Sequence, residues 1–118
     1  MPQLIAAPTR IPVPGGKMID EYVGQVTTGT AEVSVAHMVA PPRWSEPAQT
    51  PAFDEITVVL SGTVLVEHDE GMLEVPAGQA VITRAGERVR YSTGDDGAQY
   101  VAVCLPAFAP DLAHRDDD

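Results

Sequence analysis

Apolar and polar residues alternate along most of this chain in short runs, the pattern of strands with one buried face. In residues 32–39, Val33, Val35, His37 and Val39 share one face of such a strand. A β-branched run at 56–60 is bounded by Gly62, and 63–67 leads into a turn at 68–71, from which 73–75 returns. Pro76, Ala77 and Gly78 turn a corner before a strand at 80–83, and Ala85, Gly86 and Glu87 turn another before 88–91. Gly94-Asp95-Asp96-Gly97 reads as a third turn, followed by a strand at 99–105. Only residues 110–113 suggest a helical turn. Seven or eight strands at this spacing predict a β-sandwich or small barrel.

The 118 residues make one domain, and eleven prolines and ten glycines exclude long helices. The pattern divides into an N-terminal arm (1–16), a β-barrel domain (17–110) and an acidic tail (111–118). The proline-rich arm wraps either its own domain or a neighbouring subunit. No apolar run is long enough to span a bilayer, and the first residues lack the basic start of a secretory signal. The net charge of −10 repels phosphate backbones and anionic lipid, so neither a nucleic-acid nor a membrane partner is expected. A single cysteine, Cys104, excludes an internal disulfide and points to the cytoplasm. On the last strand it reads as a small buried hydrophobe.

Most catalytic signatures are missing: there is no CxxC, HxH, HExxH, phosphate-binding loop, GxGxxG or GxSxG. The three histidines, His37, His68 and His114, are too far apart in sequence for a local metal pair. What remains is a two-part spacing. Glu55 is followed by Gly62 with six residues between, and Gly78 by Gly86 with seven between. This resembles the two motifs of the cupin superfamily, G(X)5HXH(X)3–4E(X)6G and G(X)5PXG(X)2H(X)3N, over residues 17 to 107. The resemblance implies an all-β, double-stranded β-helix (jelly-roll) cupin barrel. Segments 44–51 and 104–110 look like those of small single-domain bacterial cupins, and the ethanolamine-utilisation cupins offer an analogy.

Carried over position by position, the family's metal ligands fall on Gln49, Pro51, Glu55 and Val89. Proline and valine side chains cannot ligate, and an amide is a poor ligand for a soft metal. The resemblance therefore implies a cupin without the usual metal-binding histidines and with no cofactor. An atypical set drawn from Glu46, Gln49, Glu55 and His37 stays open.

If Glu55 points into the barrel, strand alternation sends Thr57 and Val59 inward, and likewise Val89 and Tyr91, with Arg88 and Arg90 outward. Glu55 would be the acid/base group and Tyr91 a donor to a developing oxyanion. Gln49, Trp44, Glu46, His37, Thr57 and Val89 would form the substrate-binding wall and rim. Each has a structural alternative: Glu55 as a satisfied buried carboxyl, Tyr91 as core, His37 as a packed strand histidine. Trp44 and Glu46 serve equally as a packing anchor and an exposed charge. The function expected is metal-independent isomerisation, dehydration or cyclisation of a small oxygenated metabolite. The alternatives are a non-catalytic ligand-binding cupin or a metal-dependent one with atypical ligands. The family also implies a homodimer, through strand exchange or sheet extension.

Overall fold

The computed structural model describes residues 1–116, so Asp117 and Asp118 of the predicted tail lie outside the described residues. Seven strands, β1 (Thr9–Ile11), β2 (Met18–Val23), β3 (Ser34–Ala40), β4 (Asp54–His68), β5 (Gly71–Pro76), β6 (Ala80–Thr83) and β7 (Val89–Leu105), precede one helical turn, α1 (Pro110–Ala113). All pairings are antiparallel, in the order β1-β2-β3-β7-β4-β5, with β6 on the free side of the first half of β4.

Two long strands organise the barrel. The first half of β4 pairs with the second half of β7, from Glu55 opposite Cys104 to Val59 opposite Tyr100. Its second half pairs with the start of β7, from Val64 opposite Thr93 to His68 opposite Val89. Between the halves the register shifts twice, at Val59/Ser61 and Gly62/Val64, and such bulges bend a ladder without ending it. Gly62 (φ +72°) and Gly97 (φ +64°) meet at this bend, where a Cβ on Gly62 would overlap the carbonyl oxygen of Gly97.

That junction corrects two expectations. The segments 56–60 and 63–67 are one strand, and so are 88–91 and 99–105, because the predicted turn at 94–97 stays within β7. Glycines that read as a turn serve here as a close approach of two backbones. The arm also contains structure: β1 pairs with β2 of its own chain, Thr9 opposite Glu21 and Ile11 opposite Ile19. β2 itself had no predicted counterpart.

The main core lies between the two halves and contains Val59, Val64, Val66, Val75, Val89, Tyr91 and Tyr100, sealed at one end by Trp44. A smaller cluster of Phe53, Cys104 and Ala113, with Phe108 packed edge-on to Phe53 at 5.9 Å, closes the other end beneath α1. After α1, His114 turns the chain back with a left-handed φ of 51°. The tail then lies along the segment before β4: Thr50 N–H donates to His114 O, Asp116 N–H to Ala48 O, and Arg88 pairs with Asp116. Through residue 116, the acidic tail is thus a strap along residues 48–50.

Candidate functional site

Period-two burial in β4 turns Glu55, Thr57 and Val59 inward, leaving Val58 and Leu60 on the outer surface. Glu55 lies between β6 and β7, opposite Thr83 and Cys104. Gln49 and Val89, on which the resemblance placed two of the histidines, are bridge partners: each backbone N–H donates to the other's carbonyl, at 2.8 and 2.9 Å. The two-motif register therefore corresponds to real adjacency in space.

A cavity of about 40 Å³ opens beside Glu55 and is also lined by Lys17, Glu21, Glu46, Gln49 and Arg115. Outside it lies a vestibule of about 300 Å³ that shares Lys17, Glu46 and Arg115 and is walled by Val13, Trp44 and Pro47. Of the residues predicted for the site, Glu55, Gln49 and Glu46 reach the inner cavity, and Trp44 lines the vestibule.

Four others do not reach either space. Tyr91 belongs to the core, its hydroxyl 2.9 Å from Thr83 Oγ1, so that oxygen is already engaged. Thr57 and Val89 are buried beneath the cavity wall. His37 sits opposite Asp20 of β2 on the outer face, because β3 sends Ala36 and Met38 to the cavity and its odd-numbered neighbours away. The expected set of Glu46, Gln49, Glu55 and His37 is therefore not assembled. Among the described residues no three or more His, Cys, Asp or Glu side chains are grouped to hold a metal ion. Arg88 faces outward as expected, whereas Arg90 is half-buried.

The site's two cations, Lys17 and Arg115, are not marked by the motif spacing. The Lys17 side chain is only 7% exposed, with its ammonium 4.4 Å from the centre of the Trp44 ring and 5.4 Å from that of Tyr100. Such contacts hold a cation through the negative faces of the rings. Glu46 Oε2 lies 3.9 Å from Lys17 Nζ and 3.7 Å from Arg115 Nη2, and Arg115 Nε donates to Gln49 Oε1 at 3.4 Å. One carboxylate thus stands between two cations. A signal for Lys17 did exist: Lys17, Ile19 and Glu21 alternate, and all three line the cavity. Arg115 carried none, since its position depends on the tail folding back.

Burial pushes the Glu55 carboxyl up to about 7, against the opposing pull of the Lys17 charge. Glu46 adds a further upward push, and Arg115 and the neighbouring Thr57 pull downward. Burial in turn lowers the pKa of Lys17, a change resisted by Glu46 and Glu55. The Tyr91, Tyr100 and Cys104 side chains are all pushed upward by burial first, so these acids stay protonated around neutrality. Glu55 is consequently the cavity carboxyl poised to exchange a proton near pH 7.

No known family profile matches the chain. One curated relative, the endoribonuclease YbeY of Myxococcus xanthus, is 46% identical over 107 residues, which are 90% of this chain but 36% of that protein. The chain thus spans about a third of its length. Among solved structures, the polyketide cyclase RemF from Streptomyces resistomycificus matches all of this chain and 87% of its own (TM-score 0.77, 18% identity). Oxalate decarboxylase from Bacillus subtilis matches 94% of this chain and 30% of its own (TM-score 0.78, 14% identity). The Clostridium difficile EutQ protein matches 79% and 70% (TM-score 0.66, 18% identity). The fold is the cupin jelly-roll barrel, and these neighbours are cupin-fold proteins.

Proposed function

We propose that this chain is a small-molecule cupin in which Glu55 transfers a proton to and from an oxygenated metabolite, without a metal ion. The observation carrying this is a buried carboxyl, pushed up to about 7, on the wall of a cavity that also holds two cations. At neutral pH such a group is present in both protonation states, as one residue serving first as base and then as acid requires. Lys17 and Arg115 would stabilise negative charge developing on the substrate, as enolate or alkoxide, while Gln49 orients it. Tyr91 holds Thr83 across from Glu55 and acts on position only.

A metal does not fit these residues. The positions on which the family motif places two of its imidazoles carry an amide, Gln49, and a valine buried in the core, Val89, and an ammonium already stands beside the Glu46 carboxylate. The cyclase and the decarboxylase among the structural neighbours support a small-molecule reading of this fold. The ribonuclease named for the longer relative is not carried over: the acidic chain repels a phosphate backbone, and the inner cavity is too small for a nucleotide.

The test is turnover by Glu55→Gln against wild type, on a panel of hydroxy- and oxo-metabolites followed by solvent-deuterium incorporation. Removing a general acid/base is expected to lower the rate by about 100-fold or more while the circular dichroism and melting curve of the fold persist. Exchange at the wild-type rate in the variant would contradict the assignment.

A further inference from the structure

We infer that the cavity takes a small uncharged ligand with a carbonyl and a hydroxyl on adjacent carbons, whose two oxygens pair with the Glu55 carboxyl. The inference deepens the proposed function by naming its substrate class, and it rests on the same cavity.

The three carboxyls of the cavity are differently engaged. Glu46 stands between the two cations, its Oε2 3.9 Å from Lys17 Nζ and 3.7 Å from Arg115 Nη2. Glu21 accepts hydrogen bonds from the backbone N–H and hydroxyl of Thr27, both at 2.8 Å. Glu55 is 8% exposed, and among the described residues its carboxyl makes neither a hydrogen bond nor an ion pair. Thr57 Oγ1, two positions on along the same face of β4, is buried without a partner of its own and so does not fill that role. A buried polar group is costly until something supplies its partners.

Charge decides against an ionic partner. Both cations are already paired with Glu46, and Glu21 is the second carboxylate beside them. The lining therefore sums to zero with Glu55 protonated and to one negative charge with Glu55 ionised. An anion meets no positive surplus and has to break an existing pair. A cation has to lie beside Lys17 and Arg115, where burial already works against the Lys17 charge. An uncharged ligand disturbs neither pair.

The kind of uncharged group follows from Glu55 itself. A protonated carboxyl presents a donor and an acceptor side by side. The proposed function supplies a carbonyl on the ligand, since a proton leaves carbon readily next to one, and this carbonyl accepts from the Glu55 O–H. A hydroxyl on the next carbon donates to the Glu55 C=O, which a simple ketone leaves unmet. The NH2 of Gln49 makes no hydrogen bond among the described residues, while its Oε1 accepts from Arg115, so it offers the ligand one further donor. The remaining walls are aliphatic, from Ile11, Ile19, Ala36, Met38 and Ala102. A volume of about 40 Å³ is room for roughly three water-sized groups, which suits a short carbon chain.

The test titrates compounds of similar shape into the full chain at pH 6.5. They are 3-hydroxybutan-2-one; lactate, with a carboxylate oxygen in place of a methyl group; 3-aminobutan-2-ol, with an ammonium in place of the carbonyl; and butan-2-one, without the hydroxyl. Binding is read by calorimetry and by the fluorescence of Trp44, the only tryptophan in the sequence. The hydroxy ketone is expected to saturate the site, with each of the other three at least tenfold weaker. Glu55→Gln keeps a donor and an acceptor and should change this affinity little, whereas Glu55→Leu removes both and should cost at least tenfold. Absence of hydroxy ketone binding would overturn the inference. So would binding of lactate, the amine or butan-2-one as tight as that of the hydroxy ketone, or unchanged affinity in folded Glu55→Leu. The two proposals fail separately. A hydroxy ketone that binds with this preference but shows no Glu55-dependent deuterium exchange overturns the acid/base role alone. Glu55-dependent exchange on other metabolites, without preference for the hydroxy ketone, overturns the substrate class alone.

Discussion

At the scale of single residues, the site is a balance between desolvation and unlike charge. Glu55 is 8% exposed, and burial penalises its ionised form more than Lys17 favours it, so its pKa rises. The sign of the consequence for stability follows directly. A carboxyl that binds its proton more tightly in the folded state stabilises the fold fully below its unfolded pKa, near 4.3, and loses that contribution as pH rises through about 7. Across that window the stability of the wild type should fall by roughly 3 kcal/mol more than that of Glu55→Gln, by linkage. Urea unfolding of both proteins at intervals between pH 4.5 and 7.5 checks this. Parallel curves would mean that Glu55 is ordinary in its acidity. Sequence spacing made Glu55 legible, whereas for Lys17 the one local signal was its alternation with Ile19 and Glu21, which does not say which face of the strand is buried. Its surroundings come from three other parts of the chain: the segment holding Trp44 and Glu46, Tyr100 of β7, and Arg115 of the tail.

At the scale of elements, alternation gave the inward set of β4 and β7 correctly, since one face of each strand packs against a core. It misplaced His37, whose apolar neighbours Val35 and Val39 look like a buried face in a linear reading. In the fold, the small Ala36 and the flexible Met38 line the cavity, while the bulkier face is half-buried outside. Alternation alone names two faces but not which is inside; only pairing with β7 decides that. The predicted turn at 94–97 failed for a related reason, because glycine marks both turns and close strand crossings. The crossing makes its own prediction. Gly62→Ala forces a side chain at φ +72° into the Gly97 backbone and should cost about 2 kcal/mol or more, lowering the melting temperature by several degrees. Gly94→Ala, with no positive φ and open space around it, is the control and should be near neutral by the same melting measurement. Equal melting temperatures for the two variants would count against a strained crossing.

At the scale of the whole molecule, a packed core and a charged cavity share one wall: Trp44 and Tyr100 belong to the core that contains Val64, and their rings hold Lys17 of the cavity, which the tail's Arg115 also lines. At this cavity two of the chain's seven Lys and Arg residues, Lys17 and Arg115, stand among the carboxyls of Glu21, Glu46 and Glu55. No helix among the described residues is long and apolar enough to cross a membrane, in keeping with the hydropathy reading. The barrel was legible as a whole because its motifs fix two bends, whereas the strap was not, since a short acidic tail looks the same whether it docks or extends.

Inside this cavity Glu55 is expected to exchange a proton near neutrality. The most direct measurement is a carbon-13 NMR titration of the side-chain carboxyls of the full chain, with Glu55 assigned by its loss in Glu55→Gln. A midpoint near 7 is expected for Glu55, rising further in Lys17→Met, where the neighbouring cation is gone. A midpoint in the usual carboxylate range, near 4.3, and unmoved by Lys17→Met, would contradict it.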